Sequence, residues 1–289
     1  MKKGLTLAFL AAFAWGSAIV MSKLCLNSMA AGPLFFSQII SATMASWAAL
    51  LVTRKSFPVN KASLLAYSTG IFEPFLAYTL TLYGLEKVPA GISSVIFSLE
   101  SVFILILSVI VLKMRVHNPG LFLMLLIGAM AGSLVAMLPD METKSGSFHG
   151  YLLVTAGVFS AAVYVVISAR LVTSLDPLTL LTGQLTFSTL LSGIFLFSVG
   201  IQFTLPHDTA LIVVASGILQ YFLAFILWLH AMKWVQVHIA GVMLYFIPVI
   251  ALILSWVFLA EKITGVQTIG IIITIMSVYF LNSKYENED

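Results

Sequence analysis

The amino-acid sequence predicts an all-α, polytopic membrane protein: ten transmembrane helices in two inverted five-helix repeats, with both termini cytoplasmic. Three observations lead there. Sixty-one per cent of the residues are apolar and 9% are charged, whereas an average soluble domain carries about a quarter charged residues. The apolar residues fall in blocks of about twenty, the length a helix needs to cross a bilayer core. The second half then repeats the first: Lys87-Val88-Pro89-Ala90-Gly91-Ile92-Ser93-Ser94-Val95 is echoed by Trp234-Val235-Gln236-Val237-His238-Ile239-Ala240-Gly241-Val242.

The spans are expected at residues 4–25, 32–53, 62–84, 90–112, 119–138, 150–170, 177–199, 209–230, 238–259 and 265–281. Helix is favoured over barrel because the blocks are about twice a barrel strand's length and do not alternate apolar with polar. The first block follows Lys2 and Lys3 but has Trp15 and Gly16 mid-block and no small-residue cleavage site, so it reads as a retained span. With ten spans, one set of loops holds Lys2, Lys3, Arg54, Lys55, Lys61, Lys113, Arg115, Arg170, Lys233 and Lys284. The other holds Lys23, Lys87, Lys144 and Lys262. The positive-inside rule puts the first set, and both termini, in the cytoplasm.

The chain divides into a first repeat, 1–144, and a second, 145–289. Shifted by 147 positions, Val88 meets Val235, Ile92 meets Ile239, Val95 meets Val242, Val102 meets Val249 and Ser108 meets Ser255. Shifted by 146, Gly4 meets Gly150, Phe13 meets Phe159, Val20 meets Val166 and Ser22 meets Ser168. Five spans per repeat is odd, so the second repeat enters the membrane from the opposite side. Inverted repeats of this kind build secondary transporters, with the site near the bilayer midplane.

The pattern resembles the EamA family within the drug/metabolite transporter superfamily. The residues that carry the resemblance are Phe13-Ala14-Trp15-Gly16-Ser17, the stretch Tyr83-Gly84-Leu85-Glu86-Lys87-Val88-Pro89-Ala90-Gly91, and Ser98-Leu99-Glu100-Ser101-Val102. In the second repeat they are Tyr245-Phe246-Ile247-Pro248-Val249 and Phe258-Leu259-Ala260-Glu261-Lys262-Ile263. The chain departs from the family pattern in having Ser101 in place of a proline, and Lys113-Met114-Arg115 in place of a Gly-Glu pair. The resemblance implies export of amino acids, other metabolites or drugs, and residence in a bacterial cytoplasmic (inner) membrane.

The candidate site residues follow from cost. A charge at mid-bilayer costs about 2.5–3.5 kcal/mol on insertion scales, so Glu73 and Glu100 are expected to face a cavity or a partner. Pro74 has no N–H and frees the carbonyl of Gly70 one turn back. Two carboxylates at similar depth in adjacent spans can share a proton or meet an amine. Trp15, Tyr78 and Tyr245 are the deep aromatic candidates for a substrate surface. Gln38 and Gln184 are buried amides at equivalent places in the repeats, and each needs a hydrogen-bond partner. Each of these residues also has a plain packing role to weigh against binding. Lys23 and Arg170 are read as snorkelling to the headgroups.

The expected function is a self-contained, monomeric secondary transporter of small organic metabolites such as amino acids or amines, an exporter working by alternating access. Proton antiport is expected from the carboxylates, although a uniporter would use the same fold. The alternatives are an integral membrane enzyme or a flippase for a lipid-linked substrate. The enzyme would need a polar cluster at one interface. Metal-ligand spacing, phosphate-binding glycine loops and nucleophile elbows are absent from the sequence, so no cofactor and no metal are expected. A net charge of +3 without a basic patch gives no nucleic-acid partner.

Overall fold

The computed structural model describes residues 2–111, 118–142, 146–168, 175–201, 205–231, 234, 243 and 246–285. Among these residues all regular structure is helical. The chain opens with α1 (Lys2–Cys25) and α2 (Ala31–Val52). The third segment comes in pieces: α3 (Lys61–Ser68), a 3-10 turn (Thr69–Ile71), a π-helical turn (Phe72–Leu76) and α4 (Ala77–Leu85). The fourth comprises α5 (Ala90–Phe97) and α6 (Leu99–Val111), interrupted at Ser98. Then follow α7 (Pro119–Glu142), α8 (Phe148–Ser168) and α9 (Pro177–Val199). Another broken segment runs through α10 (His207–Gly217), a π-helical turn (Ile218–Leu223) and α11 (Ala224–Ala231). The chain closes with α12 (Phe246–Leu259) and α13 (Gly265–Tyr285).

Seven of these helical runs are long and apolar enough to cross a membrane, and two shorter apolar helices, Phe246–Leu259 and Gly265–Phe280, follow them. The other expected span, residues 62–84, lies in the first broken segment. Tyr245, the repeated motif at 235–242 and the Lys113-Met114-Arg115 stretch lie outside the described residues.

Local sequence accounts for several helix starts. Asn60 accepts from the Ser63 N–H at 2.9 Å while Ser63 Oγ accepts from the Asn60 N–H at 2.9 Å, a capping box that opens α3. Asp176 caps α9 through the Leu178 N–H at 3.0 Å, with Pro177 at the first helical position. Gly200, at φ +67°, ends α9 in the left-handed conformation that glycine adopts without a Cβ clash. Thr264 and Gln267 form a second reciprocal pair at the start of α13, at 2.8 and 3.2 Å. By contrast, α2 and α5 begin after Ala30 and Pro89, which offer no capping side chain.

Two large apolar cores and two small clusters hold the bundle. One core joins Ile19 and Val20 of α1, Leu34 and Phe35 of α2, Leu82 of α4, Leu181 and Leu185 of α9 and Tyr221. The other joins Val95 and Ile96 of α5, Val102 of α6, Leu125 of α7, Val154 and Val158 of α8 and Val278 of α13. Both mix residues of the two repeats. The helices α7 and α13 cross closely at small residues: a Cβ on Gly132 would lie 2.8 Å from the Gly270 carbonyl oxygen. The outer faces expose Leu123, Met124, Leu190, Ile194, Trp256 and Val257, a surface suited to lipid tails.

Candidate functional site

The site is built on the broken third segment of the first repeat. At Glu73 the backbone leaves the helix for an extended conformation, φ −145° and ψ 125°, and the Glu73–Pro74 peptide is cis. The carbonyl of Gly70, which the sequence expects to be freed by Pro74, accepts from Ser188 Oγ of α9 at 2.8 Å. The Phe72 carbonyl accepts from Ser160 Oγ of α8 at 2.9 Å. Both donors belong to the second repeat. A backbone carbonyl left unpaired at this depth would cost several kcal/mol, so these two serines make the break tenable.

The break turns the Glu73 side chain inward, where it is buried. The Tyr78 hydroxyl lies within hydrogen-bonding reach of its carboxyl, and Glu100 is near enough to interact with it electrostatically. Glu100 stands in the first turn of α6, just past the interruption at Ser98. It is partly accessible, while Glu73 lies deeper. Aromatic rings surround the pair. Tyr78 meets Tyr221 edge-to-face with centroids 4.7 Å apart, and Tyr221 meets Phe35 at 5.8 Å. Trp15 meets Phe225 at 5.3 Å and Trp228 at 6.0 Å. The indole N–H of Trp15 lies beside the Tyr78 hydroxyl but has no partner in hydrogen-bonding geometry among the described residues. Among the described residues the buried Tyr221 hydroxyl, Ser17 Oγ, Thr79 Oγ1 and Gln38 Oε1 likewise find no partner. Such atoms are costly unless something polar meets them.

The structure therefore brings Trp15, Glu73, Tyr78 and Glu100 together. It gives the two glutamines a different setting. Gln184 Nε2 donates to Thr69 Oγ1 at 2.9 Å, and its Oε1 accepts from the Tyr164 hydroxyl at 3.2 Å. Gln38 Nε2 donates to Ser216 Oγ at 2.7 Å and to Ser22 Oγ at 2.9 Å. Each glutamine thus grips the residue that precedes a break in the other repeat. The backbones touch there too: a Cβ on Gly70 would lie 2.6 Å from the Gln184 carbonyl oxygen, and one on Gly217 would lie 2.4 Å from that of Gln38. Tyr245 falls outside the described residues.

Sequence reasoning missed two features. It left Tyr221, Phe225 and Trp228 out of the site, although Phe225 stands 147 positions after Tyr78 and its ring centroid lies 6.5 Å from that of Tyr78. It also assigned Lys23 to the headgroups. Its ammonium instead donates to the carbonyls of Leu85 and Val88 at 2.5 and 2.8 Å.

Seven helices long and apolar enough to cross a bilayer, packed across the two repeats, fit a multi-pass membrane protein. The chain belongs to the EamA-like transporter family, whose pattern it matches twice, over residues 2–138 and 148–283. It is similar to an uncharacterized transporter of Archaeoglobus fulgidus, with 26% identity over 98% of this chain and all of that one. It is also similar to the uncharacterized transporter YetK of Bacillus subtilis, at 27% identity over 95% of this chain and 85% of that one. A solved crystal structure shares the fold with a TM-score of 0.71 at 18% identity, covering 99% of this chain and 98% of that chain.

Proposed function

We propose that this family member is a proton-coupled exporter of small organic metabolites, amines or amino acids, working by alternating access. One observation carries the reading: the Glu73–Glu100 pair sits at two interrupted segments, inside a ring of aromatics drawn from both repeats. Broken helices at the repeat interface are where secondary transporters bind substrate and coupling ion. A carboxyl pair can hold a proton or face an ammonium, and the two occupants exclude one another. Release of protons on one side and of amine on the other then follows from a single site. Trp15 N–H and Tyr221 O–H supply donors for a carboxylate or carbonyl on the same molecule, and the aromatic faces suit its apolar part. In this reading the chain crosses the cytoplasmic membrane ten times, keeps both termini inside, and functions as a monomer.

The test is flux into proteoliposomes holding the purified protein, screened against pooled amino acids and amines with and without a pH gradient. Accumulation that follows the gradient, and that Glu73→Gln removes, is the expected result. Saturable flux indifferent to the gradient would end the coupling role of the carboxyls. Chemical conversion of the substrate would instead favour a membrane enzyme.

A further inference from the structure

We propose that Glu261 is a latch between the two repeats on the membrane face where α1 ends, and that it biases the carrier toward the state closed on that face. The helix α5 begins at Ala90 with no cap of its own. Glu261, from the turn between α12 and α13 of the other repeat, supplies one. Its Oε1 accepts from the Ala90 N–H at 2.8 Å and its Oε2 from the Gly91 N–H at 3.0 Å. One carboxylate thus meets two successive orphan donors at a helix N-terminus, where the aligned peptide dipoles favour negative charge. Ala260, at φ +54°, takes the left-handed conformation at the turn that presents Glu261. Helix α12 presses close at the same point: a Cβ on Gly91 would lie 2.8 Å from Leu252 Cδ2 and 2.9 Å from Ser255 Oγ.

The neighbouring polar contacts tie the rest of that face to the latch. Glu86 Oε1 accepts from the Ala31 N–H at 2.6 Å, so α2 is also capped from a distance. The Lys23 ammonium holds the turn at Leu85 and Val88 and attracts both Glu261 and Glu86. Helices α1, α2 and α5 of one repeat are thereby joined to the α12–α13 turn of the other.

In the sequence, the position of the first repeat that corresponds to Glu261 carries no acid. Shifted by 147 positions, Glu261 falls on Met114, between Lys113 and Arg115. Across the opposite face, among the described residues, the repeats share the exposed Lys55–Asp176 ion pair at 2.7 Å, a bond from Thr179 Oγ1 to the Ser56 carbonyl at 3.0 Å and the Lys3 ammonium 4.5 Å over the Trp234 ring. Exposed pairs hold weakly, whereas bidentate charge-assisted bonds from backbone N–H groups are among the stronger polar contacts. An interaction made in only one of two states shifts their populations toward that state. The inference rests on alternating access but not on any substrate or coupling ion.

The single cysteine makes the test simple. In a Cys25→Ala background, Ser94→Cys places one thiol a turn inside α5, at a position with no accessible surface. Labelling by a membrane-impermeant maleimide is followed in right-side-out and inverted vesicles, with Glu261 intact, as Glu261→Gln and as Glu261→Ala. Loss of two charge-assisted bonds is expected to raise labelling from the latch face on the order of tenfold in Glu261→Ala, and less in Glu261→Gln, which keeps one acceptor. Labelling from the other face is expected to stay the same or fall. Unchanged labelling in both variants at an unchanged thermal midpoint would overturn the latch. So would an equal rise from both faces, which would mean general loosening.

Discussion

The third segment of each repeat breaks at the corresponding place, Phe72–Leu76 in the first and Ile218–Leu223 in the second, but the two breaks are chemically unlike. The scaffold around them is duplicated. A glutamine from the other repeat grips the residue before each glycine, Thr69 or Ser216, and each glycine allows the backbones to meet. The acid chemistry is not duplicated. At a shift of 147 positions, Glu73 becomes Gln220, Tyr78 becomes Phe225 and Glu100 becomes Ile247. Duplication accounts for the fold and the breaks. The residues that differ between the copies therefore point to the specific function better than the residues they share.

The sharpest way to break this comparison is to make the first repeat like the second. Glu73→Gln should bring gradient-driven flux in proteoliposomes down to the level of empty liposomes while the protein stays folded. The reverse change, Gln220→Glu, puts an acid where the Tyr78 counterpart has no hydroxyl. It should destabilise by about 3 kcal/mol, the scale of a charge at mid-bilayer, and lower the thermal midpoint in detergent. The shared scaffold predicts equal effects instead. Gly70→Ala and Gly217→Ala each push a Cβ against a glutamine backbone, and each should cost about 1–3 kcal/mol. A large difference between their melting points would show that the two grips are not equivalent.

Smaller effects refine the picture. Trp15→Phe keeps an aromatic ring against Phe225 and Trp228 but deletes the indole N–H. Substrate affinity should fall by about 1 kcal/mol, read as a several-fold rise in KM, with little change in thermal midpoint. The smallest effect belongs to Asp176. Burial pushes its carboxyl up, but hydrogen bonds from Lys55 and the Leu178 and Thr179 N–H groups, with the lysine's charge, outweigh that and hold it below the ordinary aspartate range. Its folded value being depressed, its contribution is full above the unfolded value and fades as pH falls through the folded one. Asp176→Asn should lower the melting point slightly at neutral pH and not at all at strongly acid pH.

The sequence told some of this directly and some not at all. Composition and block length announced a helical membrane protein, and the resemblance of Trp15-Gly16, Glu100 and Glu261-Lys262 to family motifs pointed to the right family. Glu73-Pro74 announced a break and a freed carbonyl, because proline chemistry is local. The partners of that break were illegible. Ser188 and Ser160 lie far along the chain among many similar serines, and no local rule says which faces the gap. Gln38 and Gln184 looked like substrate ligands because a buried amide must find a partner, yet sequence cannot tell a neighbouring helix from a ligand. Lys23 looked like a headgroup anchor because snorkelling explains most lysines at span ends. Its two carbonyl acceptors appear only when the α4–α5 turn is placed beside it.

The serines that close the first break have a consequence for how the chain is made. Residues 1–144 leave the ribosome first and carry the Gly70 and Phe72 carbonyls into the membrane. Their donors, Ser160 and Ser188, have not yet been synthesised. In lipid such groups find no water to replace them. The first half is therefore an incomplete folding unit that must wait for α8 and α9, and a gene cut at 145 should yield halves that accumulate together but not apart.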